Sequence, residues 1–144
     1  MELTYPITSF KTVLDHCWEW FVVQAKPKST RPSEYYRLKV LCGYRSEHSA
    51  CAIGCCLPDE VAAEWDGFEN AAIRNIAEAR DTEGFHRIFN GLPVDDLEIL
   101  QKLHDEWSSA QGDFNAYIRN GLLQLYRTHG FTPPADAAQP TESV

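Results

Sequence analysis

No stretch of this chain approaches the roughly 18 consecutive apolar residues that a membrane-spanning helix needs. The opening Met-Glu-Leu-Thr-Tyr-Pro has neither the basic n-region nor the apolar core of a secretory signal, so a cytoplasmic protein with no membrane partner is expected. A phosphate-cradling glycine loop, a dinucleotide fingerprint and a Gly-x-Ser-x-Gly elbow are all missing, which leaves nucleotide chemistry and serine hydrolysis without a motif. Positive charge is scarce: 13 Lys and Arg stand against 21 Asp and Glu, for a net charge of −8. A chain of this balance neutralises phosphates poorly, so direct nucleic-acid binding is not expected.

What is present suits a folded domain. The 144 residues are 44% apolar and 12% aromatic, enough to close a core. Residues 1–131 read as one compact domain. The remainder, Thr132 to Val144, has too little apolar content to fold and reads as a disordered tail.

Charge is unevenly spread. Lys26, Lys28, Arg31, Arg37, Lys39 and Arg45 are opposed over their span only by Glu34; Asp59, Glu60, Glu64, Asp66 and Glu69 follow with no basic residue among them. Such blocks are commonly solvated faces, and they also steer charged partners.

Apolar residues at three- and four-residue steps (Phe10, Val13, Leu14, Cys17, Trp18, Phe21, Val22) predict a first helix, capped by Thr8 or Ser9 and ended by Pro27. Alternation from Tyr35 predicts a strand, extended from about Lys39 to Arg45. Ser46 to Ser49 would turn it, and Ala50 to Leu57 would be the return strand, with Gly54 marking a bulge or a close backbone approach. Helices are predicted from Asp59 to about Trp65, over 70–80, 83–90 and 94–108, and from Asp113 to His129, where Gly130 caps the end and Phe131 folds back. The expected fold is therefore α+β and mostly helical, with a small β-hairpin (about 39–57) packed among four to six helices.

The stretch least like a generic helix runs from Cys42 to Glu60: Cys-Gly-Tyr-Arg-Ser-Glu-His-Ser-Ala-Cys-Ala-Ile-Gly-Cys-Cys-Leu-Pro-Asp-Glu. It holds four of the five cysteines. An odd count without an export signal implies reduced thiols, whose commonest role is packing as small hydrophobes. Cys42, His48, Cys51 and Cys55 supply four borderline-to-soft ligands at short spacing, the set a tetrahedral zinc ion uses. Against it, no Cys-x2-Cys knuckle is present and Cys56 crowds Cys55; no cofactor is favoured. Cys55 and Cys56 also precede a helix start, where the dipole lowers a thiol pKa, and His48, His86 or His104 would be the candidate base. His104, Asp105 and Glu106 point in different directions on a helix and so read as core and surface rather than as an ion site. Four Trp and six Tyr exceed what a small core needs and favour an interface.

The run Cys42-Gly-Tyr-Arg, a short turn, then Cys51-Ala-Ile-Gly-Cys-Cys-Leu-Pro-Asp-Glu resembles an uncharacterised family of small hypothetical proteins of phages and prophages. Its pattern is Cys-x-Tyr-Arg, Cys-Ala-(Ile/Val)-Gly and Pro-Asp-Glu. The resemblance extends to the preceding helix and to Leu103-His104-Asp105, and it implies a phage-type origin without an activity. This chain departs from it at Ser46-Glu47-His48-Ser49 and at Cys55.

Three functions are weighed. The first is a small acidic protein-interaction module without catalysis, such as a phage-encoded inhibitor of a host enzyme or defence complex, of the anti-CRISPR type. Its partner would be a host protein with a basic surface, contacted by Trp20, Tyr35, Tyr36, Glu60, Glu64, Trp65 and Asp66; self-association stays open. The second is a thiol- or zinc-dependent enzyme using Cys51, Cys55 and His48. The third is a zinc-stapled structural module.

Overall fold

The computed structural model describes residues 3–29, 31–32, 40–41, 43–44, 46, 49–68 and 71–134. Helix α1 (Phe10–Trp18) runs on into a wider π-helical turn, Glu19–Val23. After the central segment come α2 (Asp59–Asp66), α3 (Ile73–Asn75, extended by a π-helical turn to Arg80), α4 (Thr82–Ile88), α5 (Val94–Asp105) and α6 (Phe114–Thr128).

Each helix buries the stripe its periodicity marks. Phe10, Val13, Leu14, Cys17 and Trp18 of α1 face the core with Phe114, Ile118, Leu122 and Tyr126 of α6. Helix α5 contributes Leu97, Leu100, Gln101 and His104, and packs on both α3 and α6. Gly121 lets α5 and α6 close up, because a Cβ there would overlap the Leu103 side chain. Asp81 caps α4 by accepting from the Gly84 N–H, and Asp113 caps α6 by accepting from the Ala116 N–H, each satisfying an orphan donor of the first turn. Ser9 sits at the start of α1 in extended conformation, but its side chain makes no capping bond there. Gly130 has φ 71° and the Phe131 N–H reaches the Tyr126 carbonyl at 2.8 Å, the glycine-terminated helix end that the sequence predicts.

The α+β expectation is overturned, and the hairpin over 39–57 with it. The described residues form a helical protein. Extended structure among them is confined to a two-residue antiparallel contact, Arg31–Pro32 with Val40–Leu41, and an isolated bridge at Ala50. The expected return strand is a turn followed by one 3-10 turn, Gly54–Cys56. Its N–H groups bond locally: Cys55 to the Cys51 carbonyl at 2.9 Å, Cys56 to Ile53 at 3.0 Å and Leu57 to Gly54 at 3.0 Å. The reason lies in the residues. Every side from Ala50 to Leu57 is buried, so the run has no solvent face to alternate with, and a continuous small-apolar run does not distinguish strand from compact turn. Lys39, Cys42 and Arg45 of the expected outgoing strand and Glu47 and His48 of its turn lie outside the described residues, as do residues 135–144 of the expected tail. Thr132 to Pro134 are described and carry no regular structure.

Candidate functional site

Gly43, Tyr44 and the run from Ser49 to Leu57 are held by the helices around them. Tyr44 is the hub. The Tyr44 N–H donates to Asp66 Oδ1 at 2.8 Å, its hydroxyl donates to the Ala71 carbonyl, and its ring meets Trp65 edge-on at 5.6 Å between centroids. Gln101 of α5 donates from Nε2 to the Tyr44 hydroxyl at 3.3 Å and accepts from the Ile73 N–H at 2.9 Å. Gly54 presses on the Tyr44 backbone, where a Cβ would overlap the carbonyl; this is the close approach that the glycine signalled. Burial pushes the Tyr44 phenol well above its ordinary pKa, chiefly by desolvation.

On the other side of this segment three sulfurs converge. Cys17 Sγ lies 3.8 Å from Cys55 Sγ, and Cys55 Sγ lies 3.9 Å from Cys56 Sγ. All three sulfurs fall within 4.8 Å of one another. Cys17 comes from α1, and the other two are consecutive residues of the 3-10 turn Gly54–Cys56 that packs against it. Cys17 donates to the Ala52 carbonyl at 3.0 Å, and Cys55 approaches the same oxygen at 3.5 Å. Cys51 faces elsewhere, its sulfur accepting from the Gly54 N–H at 3.2 Å. Desolvation raises the pKa of Cys17, Cys51 and Cys55 well above the ordinary thiol value. Burial thus works against the lowering that the helix start at Asp59 would bring, and it favours the protonated thiol at Cys51 and Cys55.

The expected ligand set is thus regrouped. Cys55 belongs to the cluster, Cys51 does not, and Cys42 and His48 lie outside the described residues. Cys17 and Cys56 are the members that spacing did not assemble. Cys17 sits 38 residues from Cys55 on an apolar helix stripe, where packing explains it equally well. Cys56 counted against the site as a crowding neighbour of Cys55.

His104 is fully buried and both its nitrogens are engaged. The Ser29 N–H donates to Nε2 at 3.0 Å, which places the ring proton on Nδ1, 2.6 Å from Asp105 Oδ1. The neighbouring carboxylate does therefore reach the imidazole. With Nε2 committed to a backbone amide, the pair fastens the loop before Arg31 to α5 and leaves no nitrogen for a base.

The expected contact residues separate. Glu60 and Glu64 are exposed one turn apart on α2. Trp65 is fully buried and its Nε1 donates to Asp81 Oδ2 at 3.0 Å, so it serves the core. Asp66 is half-buried and holds the Tyr44 amide. Trp20 is half-buried beneath Lys26, whose ammonium lies 5.1 Å from the ring centre. Tyr35 and Tyr36 lie outside the described residues. A groove of about 460 Å³ runs between α1 and the chain's own Thr132–Pro134, lined also by Lys11, Asp15, Trp18 and Val23. Among the described residues no helix is long and apolar enough to cross a membrane. Compared with protein families, curated proteins and solved structures, the chain matches none.

Proposed function

We propose that this protein is an acidic, helix-rich interaction module whose partner presents a basic surface. The phage and prophage resemblance of the central motif gives that activity its form, inhibition of a host enzyme or defence complex. The observation that carries the reading is the division of labour on α2. The helix turns Ala62 and Trp65 into the core and leaves Asp59, Glu60 and Glu64 exposed, in a stretch without a basic residue. The groups suited to catalysis point the other way: the Cys51 and Cys55 thiols are buried, and His104 is used at both nitrogens. An exposed single-sign face contributes encounter rate and selectivity more than affinity, and salt screens it.

Pull-down from a host lysate at low salt and again at roughly 0.5 M salt tests the reading, with wild type and a Glu60→Lys, Glu64→Lys double variant in parallel. Asp66 is left alone because its carboxylate holds the Tyr44 amide. A discrete partner captured by wild type at low salt, and released by both salt and charge reversal, is the expected result. Capture that survives reversal overturns the acidic-face reading, as does the absence of any partner sensitive to it.

A further inference from the structure

We propose that Cys17, Cys55 and Cys56 form a three-sulfur site for a trivalent thiophilic ion of the arsenite or antimonite class. Three observations, independent of the acidic face, lead there. The first is spacing. A trivalent pnictogen carries a lone pair and holds three thiolates as a pyramid; with bonds of about 2.3 Å and angles near 95°, the sulfurs stand about 3.4 Å apart. The Cys17–Cys55 and Cys55–Cys56 edges are 3.8 Å and 3.9 Å and the third lies within 4.8 Å, so the three sulfurs already share one pocket and draw in modestly to close on an ion. The second is coordination number. Among the described residues the cluster contains these three donors and no histidine or carboxylate. Soft thiolates select soft ions, and a trivalent pnictogen is complete with three of them, needing neither water nor a fourth ligand.

The third is charge. The cluster is dry: Cys17 and Cys56 are fully buried, and Cys55, at 8% exposure, forms its rim. Three thiolates on a monovalent ion leave two negative charges in this core, and on a divalent ion one; an uncompensated buried charge is strongly disfavoured. On a trivalent ion they leave none. The exchange also suits buried thiols, whose protons it carries away in water. Three S–H groups react with arsenous acid, three As–S bonds form, three As–O bonds break, and three waters leave with the thiol protons. Arsenic stays trivalent, so no oxidant or reductant takes part.

The test adds sodium arsenite to the full-length reduced protein and reads native mass, near-ultraviolet absorbance and melting temperature. Expected are a mass gain of one arsenic less three hydrogens, a sulfur-to-arsenic absorption band, and a melting temperature that rises with arsenite concentration. Cys17→Ala and Cys55→Ala should each weaken binding at least tenfold. Cys51→Ala, an equally buried thiol outside the triad, and Cys42→Ala should leave it unchanged. Far-UV circular dichroism checks that each variant folds, and Cys55→Ala, at the rim, disturbs packing least. Affinity should stay flat between about pH 6 and 8, because the thiol protons leave within water, whereas a zinc ion would bind more tightly as pH rises. Failure of wild type to take up arsenite overturns the proposal. So does uptake indifferent to Cys17→Ala and Cys55→Ala in folded protein, or dependent on Cys42. Zinc held by the same three cysteines and not displaced by arsenite overturns the trivalent assignment.

Discussion

Helices α3 and α5 are joined twice, once in the dry interior and once at the surface, and the two joints are built from different chemistry. Inside, Gln101 of α5 bridges the Ile73 N–H of α3 and the Tyr44 hydroxyl, while Tyr44 in turn holds the Ala71 carbonyl. Outside, the Arg74 guanidinium fans over Asp95 and Glu98 of α5 and Glu78 of its own helix, with Glu98 at 3.2 Å and Glu78 at 3.1 Å. The outer joint has more charge and more bonds. The inner joint governs the structure, because a buried polar atom that loses its partner cannot turn to water, whereas an exposed guanidinium can. Neutral groups in a dry place thus fix the geometry, and the ionic fan tunes it.

The largest effect that follows is at Gly54. A methyl group there must displace the Tyr44 carbonyl, so Gly54→Ala should cost about 3 kcal/mol, read as a lower urea midpoint at unchanged slope. A loss under about 1 kcal/mol would mean that the central segment is not clamped. Next comes Gln101→Leu, which keeps the volume but strands the Ile73 amide and takes from the Tyr44 hydroxyl the bond it accepts; a loss of about 2 kcal/mol is expected, and a neutral outcome would show that the inner joint is replaceable by packing.

The acid limb of stability should carry a smaller signature, from Asp81. Burial pushes its carboxyl up, but the hydrogen bonds from Trp65 Nε1 and the Gly84 amide prevail and leave it below its ordinary value. A carboxyl depressed in the folded state stabilises fully above its unfolded pKa of about 3.9, and that contribution fades as pH falls through the lower folded value. Melting temperatures from neutral pH downward should therefore fall less steeply at the acid end for Asp81→Asn than for wild type. Parallel curves would remove Asp81 from the account. Smallest of all is the outer joint. Arg74→Ala should lower the melting temperature slightly at low salt, and roughly 0.5 M salt should narrow the gap from wild type; an effect as large as that of Gln101→Leu would reverse the ranking of the two joints.

Local order was legible where one residue type has one physical reason to stand in place. The stripes of α1, α5 and α6 and Gly130 at the end of α6 follow from helical periodicity and from backbone groups that need partners. Gly54 was legible as a close approach, though not the carbonyl it approaches. The fold class was misread at Ala50–Leu57, where a segment buried on every side offers no alternation, so a strand and a folded turn look the same in the residue string. Trp65 was misread for a related reason. Aromatic surplus suggests surface anchors, but the Asp81 carboxylate gives its indole N–H a partner and lets the whole ring sink.

The cysteines divide the two kinds of knowledge most sharply. Composition and the missing motifs, with a charge of −8, were enough to argue against phosphate and nucleotide chemistry as an expectation and to mark the central stretch as unusual. Which sulfurs meet was decided only when α1 lay against the 3-10 turn and set Cys17 3.8 Å from Cys55. Sequence spacing ranks ligands by chain distance. Packing ranks them by where buried volume must be filled, and a thiol on an apolar stripe carries no mark of the partner it will face.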